Sequence, residues 1–136
     1  MTAKILIVED QKLPLKALEG AVKSAMPGES YDVARCYSGA EGLIANNNYS
    51  IVLLDHRMPY SDISGLEDRD FEAFSNTLED IGYGLIPLIK QRNPNAVVIG
   101  TSSMENAEGA PEYRMRKGFR EAKEDLEMVL KETLMP

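Results

Sequence analysis

The sequence predicts an α/β fold in which helices cover both faces of a doubly wound parallel β-sheet. Four short strand-like runs alternate with longer segments in which apolar residues recur every three or four positions. Three of the runs are continuously apolar, which is typical of strands buried on both faces. Strands that alternate with helices of about 10–15 residues indicate right-handed β–α–β units and therefore a parallel sheet.

Two strand–helix units are predicted in the first part of the chain. The run ILIV at 5–8 predicts the first strand, and segment 13–25 predicts a helix with one apolar stripe. Pro14 falls in the first turn of that helix, where proline is tolerated, and Pro27-Gly28 ends it. The second strand, at 31–37, is less apolar, so we expect it at an edge of the sheet.

The pattern then continues through two further strands. Ser38 and Glu41 fit an S-x-x-E capping box, which predicts that Ser38 begins a short helix. The third strand is predicted at 51–54 and the fourth at 96–99, with a helix at 85–92 before the fourth. These elements account for the chain up to about its last third.

Composition limits the functions open to the chain. The 136 residues suit one domain, placed at 1–136, and the net charge of −7 argues against nucleic-acid binding, which requires clustered lysine and arginine. No apolar run approaches the roughly 18 residues of a membrane span. The single cysteine, Cys36, excludes an internal disulfide. We therefore expect a cytoplasmic protein with no membrane or nucleic-acid partner.

Acidic and hydroxyl residues are concentrated where the predicted strands end. Glu9 and Asp10 come after the first strand, Asp55 after the third, and Thr101 and Ser102 after the fourth. In parallel sheets, function gathers at the carboxyl edge. Carboxylates that meet there repel one another unless a cation lies among them, and hard oxygen ligands suit Mg²⁺. A remaining aspartate can act as a nucleophile toward phosphorus and form an aspartyl phosphate.

The motifs ILIVEDQ, IVLLDHRMP and VVIGTSS, each at the end of a strand, resemble the receiver domain of two-component response regulators, the CheY-like domains. The resemblance implies a flavodoxin-like fold and Mg²⁺-dependent phosphotransfer from a sensor histidine kinase or phosphotransfer protein. It also implies an output through a downstream protein target. The domain would then catalyse only its own phosphorylation and would not be an enzyme acting on a separate substrate.

The resemblance assigns roles residue by residue. Asp55 matches the phospho-acceptor, and Glu9 and Asp10 match the acidic pair that holds the metal with Asp55. The backbone carbonyl of Arg57, two residues past the acceptor, matches a further metal ligand. Thr101 matches the hydroxyl that bonds the phosphoryl group. His56, the only histidine, is expected to point away from the neighbouring carboxylate.

One departure from the family is an insertion at about 63–82. Phe71, Phe74, Leu78 and Ile81 recur at helical spacing there, which predicts an extra short helix whose phenylalanine face packs on the domain. A plain loop and a partner-specificity surface are the alternatives for this segment.

The last third is the other departure. The family has a fifth strand that carries a lysine, but the segment after Glu112 shows no convincing strand, so we predict a degenerate one and a helix over most of the segment. Lys123 is predicted as the ion-pair lysine because the number of residues between it and Thr101 suits the family, with Lys117 as the alternative. Arg120 occupies the position three residues before Lys123, where the family has an aromatic residue.

Three other functions are alternatives to the receiver domain. A haloacid-dehalogenase-type phosphatase needs a second aspartate where this chain has Arg57, and an FMN phosphate of a flavodoxin would be repelled by Glu9 and Asp10. A degenerate receiver that only binds proteins is the remaining alternative. We expect a single-domain regulator, with an excised fragment as the other possibility.

Overall fold

The computed structural model describes residues 5–103 and 107–133. Its strands are β1 (Ile5–Val8), β2 (Tyr31–Ala34), β3 (Ile51–Leu54), β4 (Arg57–Met58), β5 (Glu79–Asp80), β6 (Val97–Gly100) and β7 (Tyr113–Arg114). Its α-helices are α1 (Lys12–Ala25), α2 (Tyr37–Asn46), α3 (Ser64–Arg69), α4 (Phe71–Asn76), α5 (Ile86–Arg92) and α6 (Phe119–Thr133), and a 3₁₀ turn at Gly82–Leu85 precedes α5. The predicted α/β fold is confirmed.

The main sheet has five parallel strands in the order β2-β1-β3-β6-β7. Val8 pairs with Leu54, and Leu54 pairs with Gly100, so the three central strands end at the same level. Residues one position past these strands therefore lie side by side at the carboxyl edge. A separate two-stranded antiparallel ladder joins β4 to β5.

Both faces of the sheet are buried, which confirms the doubly wound arrangement. Leu6, Val8, Val52 and Leu54 face one apolar core, which includes residues of α2 and α5. The alternate residues of β1 and β3 face a second core, which includes residues of α1 and α6. The continuous apolar runs were therefore correctly interpreted as central strands. Within 5–103 and 107–133, no helix has the length and apolar character needed to cross a bilayer.

The start of α2 differs from the prediction. The N-cap is Cys36, whose Sγ accepts a hydrogen bond from the Gly39 amide at 3.3 Å, so the capping box at Ser38 was wrong. The Tyr37 and Ser38 amides donate to the carbonyls of Pro59 and Tyr60. Because the loop after β4 satisfies the first amides of the helix, a side-chain cap at Ser38 is not needed.

The inserted segment (residues 63–82) holds two short helices instead of one. Asp70 caps α4 by accepting from the Ala73 amide, and the helix ends at Asn76. Phe74 is fully buried, whereas Phe71 is 54% exposed, so only part of the predicted stripe packs on the domain. The helical spacing does not continue beyond α4, because the chain turns at Thr77 and then pairs with β4 as a strand.

The fifth strand is present but has only two residues. Tyr113 and Arg114 of β7 pair with Ile99 and Gly100 of β6. A degenerate fifth strand was predicted, and the two-residue β7 lies before Lys117, because α6 begins at Phe119. The helix predicted over the end of the chain is confirmed. In the described parts of 101–112, the connection from β6 to β7 contains no helix.

Candidate active site

Three carboxylates meet at the carboxyl edge of the sheet. Glu9 and Asp10 follow β1 and Asp55 follows β3, and each offers an oxygen within 4.8 Å of the others. All three are buried. The Glu9 amide donates to Ala34 and the Asp55 amide to the carbonyl of Val8, which extends the sheet ladder into the site. We call Glu9, Asp10 and Asp55 the acidic cluster.

A lysine reaches the acidic cluster, but it is not the lysine favoured from the sequence. The Nζ atom of Lys117 lies 2.7 Å from Glu9 Oε1 and 3.0 Å from Asp55 Oδ2. Lys123 is exposed on α6 instead, so the structure corrects the prediction in favour of the alternative. Lys117 follows the end of β7 by three residues, so its position depends on where β7 joins the sheet.

The residues around Lys117 give only a weak indication that this lysine lies at the site. Met115 is buried two residues before it, and Gly118 follows it at the start of α6. Arg114 stands three residues before Lys117 and donates to the carbonyl of Ser102 at 3.1 Å. The position that is aromatic in the family is therefore cationic here, whichever lysine is used for the alignment.

Burial is the main cause of the raised pKa values in the cluster, and repulsion between the carboxylates adds to it. Burial, followed by the charges of Glu9 and Asp55, raises the pKa of Asp10 from 3.8 to about 8. Burial also raises the pKa of Glu9, although Lys117 opposes the shift. For Lys117, burial lowers the pKa, but the charges of Glu9 and Asp55 outweigh burial and the net shift is upward. The lysine is therefore protonated and neutralises part of the cluster.

Asp10 carries the clearest sign of a cation site. It is 1% exposed, and neither carboxylate oxygen has a hydrogen-bond partner. A buried carboxylate without partners is costly, and a divalent ion would relieve that cost. The donor set, three carboxylates with hard oxygen atoms, fits Mg²⁺.

Two further groups surround Asp55. The His56 amide donates to Asp55 Oδ1 at 2.8 Å, so one carboxylate oxygen accepts from the backbone while the other lies against Lys117. Thr101 follows β6, and its amide donates to the carbonyl of Leu54. Its hydroxyl is buried without a hydrogen-bond partner. A hydroxyl in that state is available to a group that binds beside Asp55.

The ring of His56 is engaged away from the cluster. It stacks on Tyr83 with centroids 4.2 Å apart, and its Nδ1 accepts from the Tyr83 amide at 3.1 Å. The His56 carbonyl accepts from the amides of Ile81 and Gly82. His56 thus fixes the end of the inserted segment beside Asp55, a role the sequence did not suggest.

A second set of contacts joins the inserted segment to the backbone of Asp10. Arg35 donates to the backbone carbonyl of Asp10 at 2.8 Å and lies 3.5 Å from Glu67 of α3. Glu67 also accepts from the Lys12 amide at the start of α1. Sequence analysis missed this network, because its members lie far apart along the chain.

A cleft of about 190 Å³ opens beside Asp55. Its walls come from the loops after β1, β3, β6 and β7 and from the inserted segment: Gln11, Asp55, Arg57, Ser75, Leu78, Ser102, Ser103 and Lys117. The side chain of Arg57 is half exposed and lies 3.7 Å from Asp80. Ser75 and Leu78 had no predicted role at this site.

Comparison with known proteins supports the fold. No family model and no curated protein matches the chain. A CheY-like receiver domain from Methanospirillum hungatei JF-1 is similar, with a TM-score of 0.66, 16% identity and 98% coverage of both chains. The receiver domain of a DNA-binding response regulator from Colwellia psychrerythraea 34H gives 0.61 at 17% identity, covering 95% of this chain and 98% of that one.

A BeF3-activated DrrB receiver domain matches over the full length of both chains, with a TM-score of 0.64 and 21% identity. The chain therefore has the CheY-like receiver fold, as its motifs indicated. Identities this low carry the fold alone. The roles of individual residues depend on the geometry described above.

Proposed function

We propose that the protein is a response regulator receiver that accepts a phosphoryl group on Asp55 in a Mg²⁺-dependent reaction. The observation that carries the proposal is the surroundings of Asp55: one oxygen bonded to a backbone amide, the other 3.0 Å from Lys117, and the unpartnered carboxylate of Asp10 beside it. The donor is a phosphohistidine of a sensor histidine kinase or phosphotransfer protein.

In the proposed reaction, a carboxylate oxygen of Asp55 forms a bond to phosphorus while the P–N bond of the donor breaks. The donor imidazole, protonated on its other nitrogen, leaves as the neutral base. Lys117 and the Thr101 hydroxyl stabilise the negative charge on the phosphoryl oxygens, which is the main source of catalysis in phosphoryl transfer.

Glu9, Asp10, Asp55 and the backbone carbonyl of Arg57 would hold the metal. When bound, Mg²⁺ supplies positive charge that neutralises the phosphoryl oxygens and the carboxylates around them. Arg35 fixes the backbone of Asp10 in place, because it donates to the Asp10 carbonyl. The buried site limits competition from bulk water.

Signalling would proceed through a downstream protein target in the cytoplasm, without nucleic acid or membrane. The alternative is a degenerate receiver that binds proteins independently of phosphorylation. An intact acidic cluster with its lysine favours the phospho-accepting function, because a binding module has no need of three buried carboxylates.

Intact mass spectrometry after incubation with acetyl phosphate and Mg²⁺ tests the proposal. We expect one phosphoryl adduct, which should not form when Mg²⁺ is chelated or in Asp55→Ala. It should still form in Asp68→Ala, which removes an exposed aspartate of α3. An adduct that persists in Asp55→Ala and disappears in His56→Ala would move the chemistry to the histidine. Wild-type protein that takes no adduct would favour the degenerate receiver.

A further inference from the structure

We propose that the inserted segment covers the phosphoryl site and prolongs the life of phosphorylated Asp55, with Ser75 and Leu78 as the residues that restrict water. This inference rests on the proposed function. It assigns the insertion a part in the chemistry, in place of the plain loop or the partner surface that the sequence left open.

The segment is fixed directly beside the acceptor. The amides of Ile81 and Gly82 donate to the carbonyl of His56 at 3.0 and 2.8 Å. A Cβ atom at Gly82 would collide with the backbone oxygen of Asp55, so the chain there approaches the acceptor as closely as a glycine allows. The β4–β5 ladder pairs Arg57 with Asp80. The insertion therefore cannot move independently of the residues after Asp55.

Packing fixes α4 in the same place. Phe74 is fully buried, and its neighbour Ser75 lines the cleft at Asp55. Leu78, half-buried, lines the same cleft, and its amide donates to the Ser75 carbonyl. A short polar side chain and an apolar one thus form the wall that the insertion contributes, facing the space shared with Asp55 and Lys117.

The relevant reaction is loss of the phosphoryl group to water. The oxygen of a water molecule forms a bond to phosphorus as the bond from phosphorus to Asp55 breaks. The products are inorganic phosphate, which takes the two protons of the water, and the Asp55 carboxylate. The attacking and leaving oxygens must be nearly in line. A wall on a cleft of about 190 Å³ restricts where that water can stand.

The test measures the lifetime of the phosphoryl adduct in excess Mg²⁺. Protein loaded with acetyl phosphate is desalted, and the adduct is followed by intact mass. We expect Leu78→Ala, which opens the wall, to speed loss by about three- to tenfold. Ser75→Leu, which adds apolar bulk to the same wall, should slow loss by a similar factor.

Two controls match these variants. Leu13→Ala makes the same chemical change at an exposed leucine of α1, and Glu72→Ala changes an exposed residue of α4 that does not line the cleft. Both should keep the wild-type lifetime. Thermal unfolding followed by circular dichroism identifies any variant that has lost its fold.

Faster loss of the adduct in Leu78→Ala together with slower loss in Ser75→Leu supports the inference, because general loosening of the insertion would speed loss in both. Unchanged lifetimes, or changes in the same direction, overturn it while the proposed function stands. Wild-type protein without any adduct would instead refute the proposed function, so the two failures are distinguishable.

Discussion

The side of the site that carries the acidic cluster and its outer side are built differently. Asp55 and the acidic pair follow β1 and β3, four-residue strands that are buried throughout and paired on both edges. The outer side consists of the inserted segment and β7, whose strands have two residues each. The carboxylates thus follow the strands that resist opening most, whereas the outer side rests on shorter ladders.

The two sides also differ in what holds them. Apolar burial on both faces holds β1 and β3. The inserted segment is held by the burial of Phe74, by the ladder to β4, and by the hydrogen bond that Glu67 of α3 accepts from the Lys12 amide. The difference indicates that a few specific contacts can hold a segment beside a site whose central strands are held by a continuous core. The predictions below test that comparison, from the largest effect to the smallest.

Phe74→Ala should give the largest loss of stability. The side chain is fully buried, and phenylalanine-to-alanine changes in such positions cost about 3–5 kcal/mol. Phe71→Ala, on the exposed side of α4, should cost less than about 1.5 kcal/mol, because it loses little beyond the ring contact with Phe74. Urea unfolding of both variants measures the difference. Equal costs would mean that the insertion does not share the domain's core.

Lys117→Ala should slow phosphorylation of Asp55 by about 100-fold or more, which corresponds to roughly 2.7 kcal/mol of barrier. The change removes the cation that contacts both Glu9 and Asp55. Lys123→Ala, on the exposed face of α6, should phosphorylate at the wild-type rate. Rates with acetyl phosphate, followed by intact mass, decide the matter. A larger defect in Lys123→Ala would restore the assignment made from the sequence.

Without Mg²⁺, the protein should lose stability as pH rises from about 4 to about 8. The pKa of Asp10 is near 3.8 in an unfolded chain and about 8 in the fold, so in this range the folded state binds the extra proton. The free energy of unfolding must then fall steadily as the pH rises through this range.

Asp10→Asn should flatten this slope and stabilise the metal-free protein at pH 8, because it removes a buried charge that repels Glu9 and Asp55. Mg²⁺ should raise the unfolding free energy of the wild type at pH 8 but have little effect on the variant. Urea unfolding at several pH values, with and without Mg²⁺, provides the measurement. A wild-type slope that survives in Asp10→Asn would place the titration elsewhere.

Glu67→Gln should have the smallest effect, a loss of about 0.5–1 kcal/mol. The change removes a negative charge from the first turn of α1 and from beside Arg35. Glu72→Gln, exposed on the next helix, serves as the control and should leave stability unchanged. Thermal unfolding at low salt gives the comparison, and the difference should shrink as salt is added.

Sequence reasoning succeeded where the signal was local and continuous. The strands at 5–8 and 51–54 are apolar throughout, and the residues that directly follow them form the acidic cluster. It failed where partners from distant parts of the chain set the structure. The carbonyls of Pro59 and Tyr60 accept from the first amides of α2, so the helix does not need the predicted cap at Ser38. In the inserted segment, residues 79–80 pair with β4 as a strand, so the predicted helix does not extend to them.

The sequence by itself determined the parallel sheet and the meeting of Glu9, Asp10 and Asp55, because apolar strands must be buried and parallel neighbours in register end together. Only the tertiary structure decided that Lys117 reaches Asp55 and that Leu78 stands beside it. A two-residue strand has no periodicity to detect. Its place depends on pairing with Ile99 and Gly100, which lie far from Tyr113 and Arg114 along the chain.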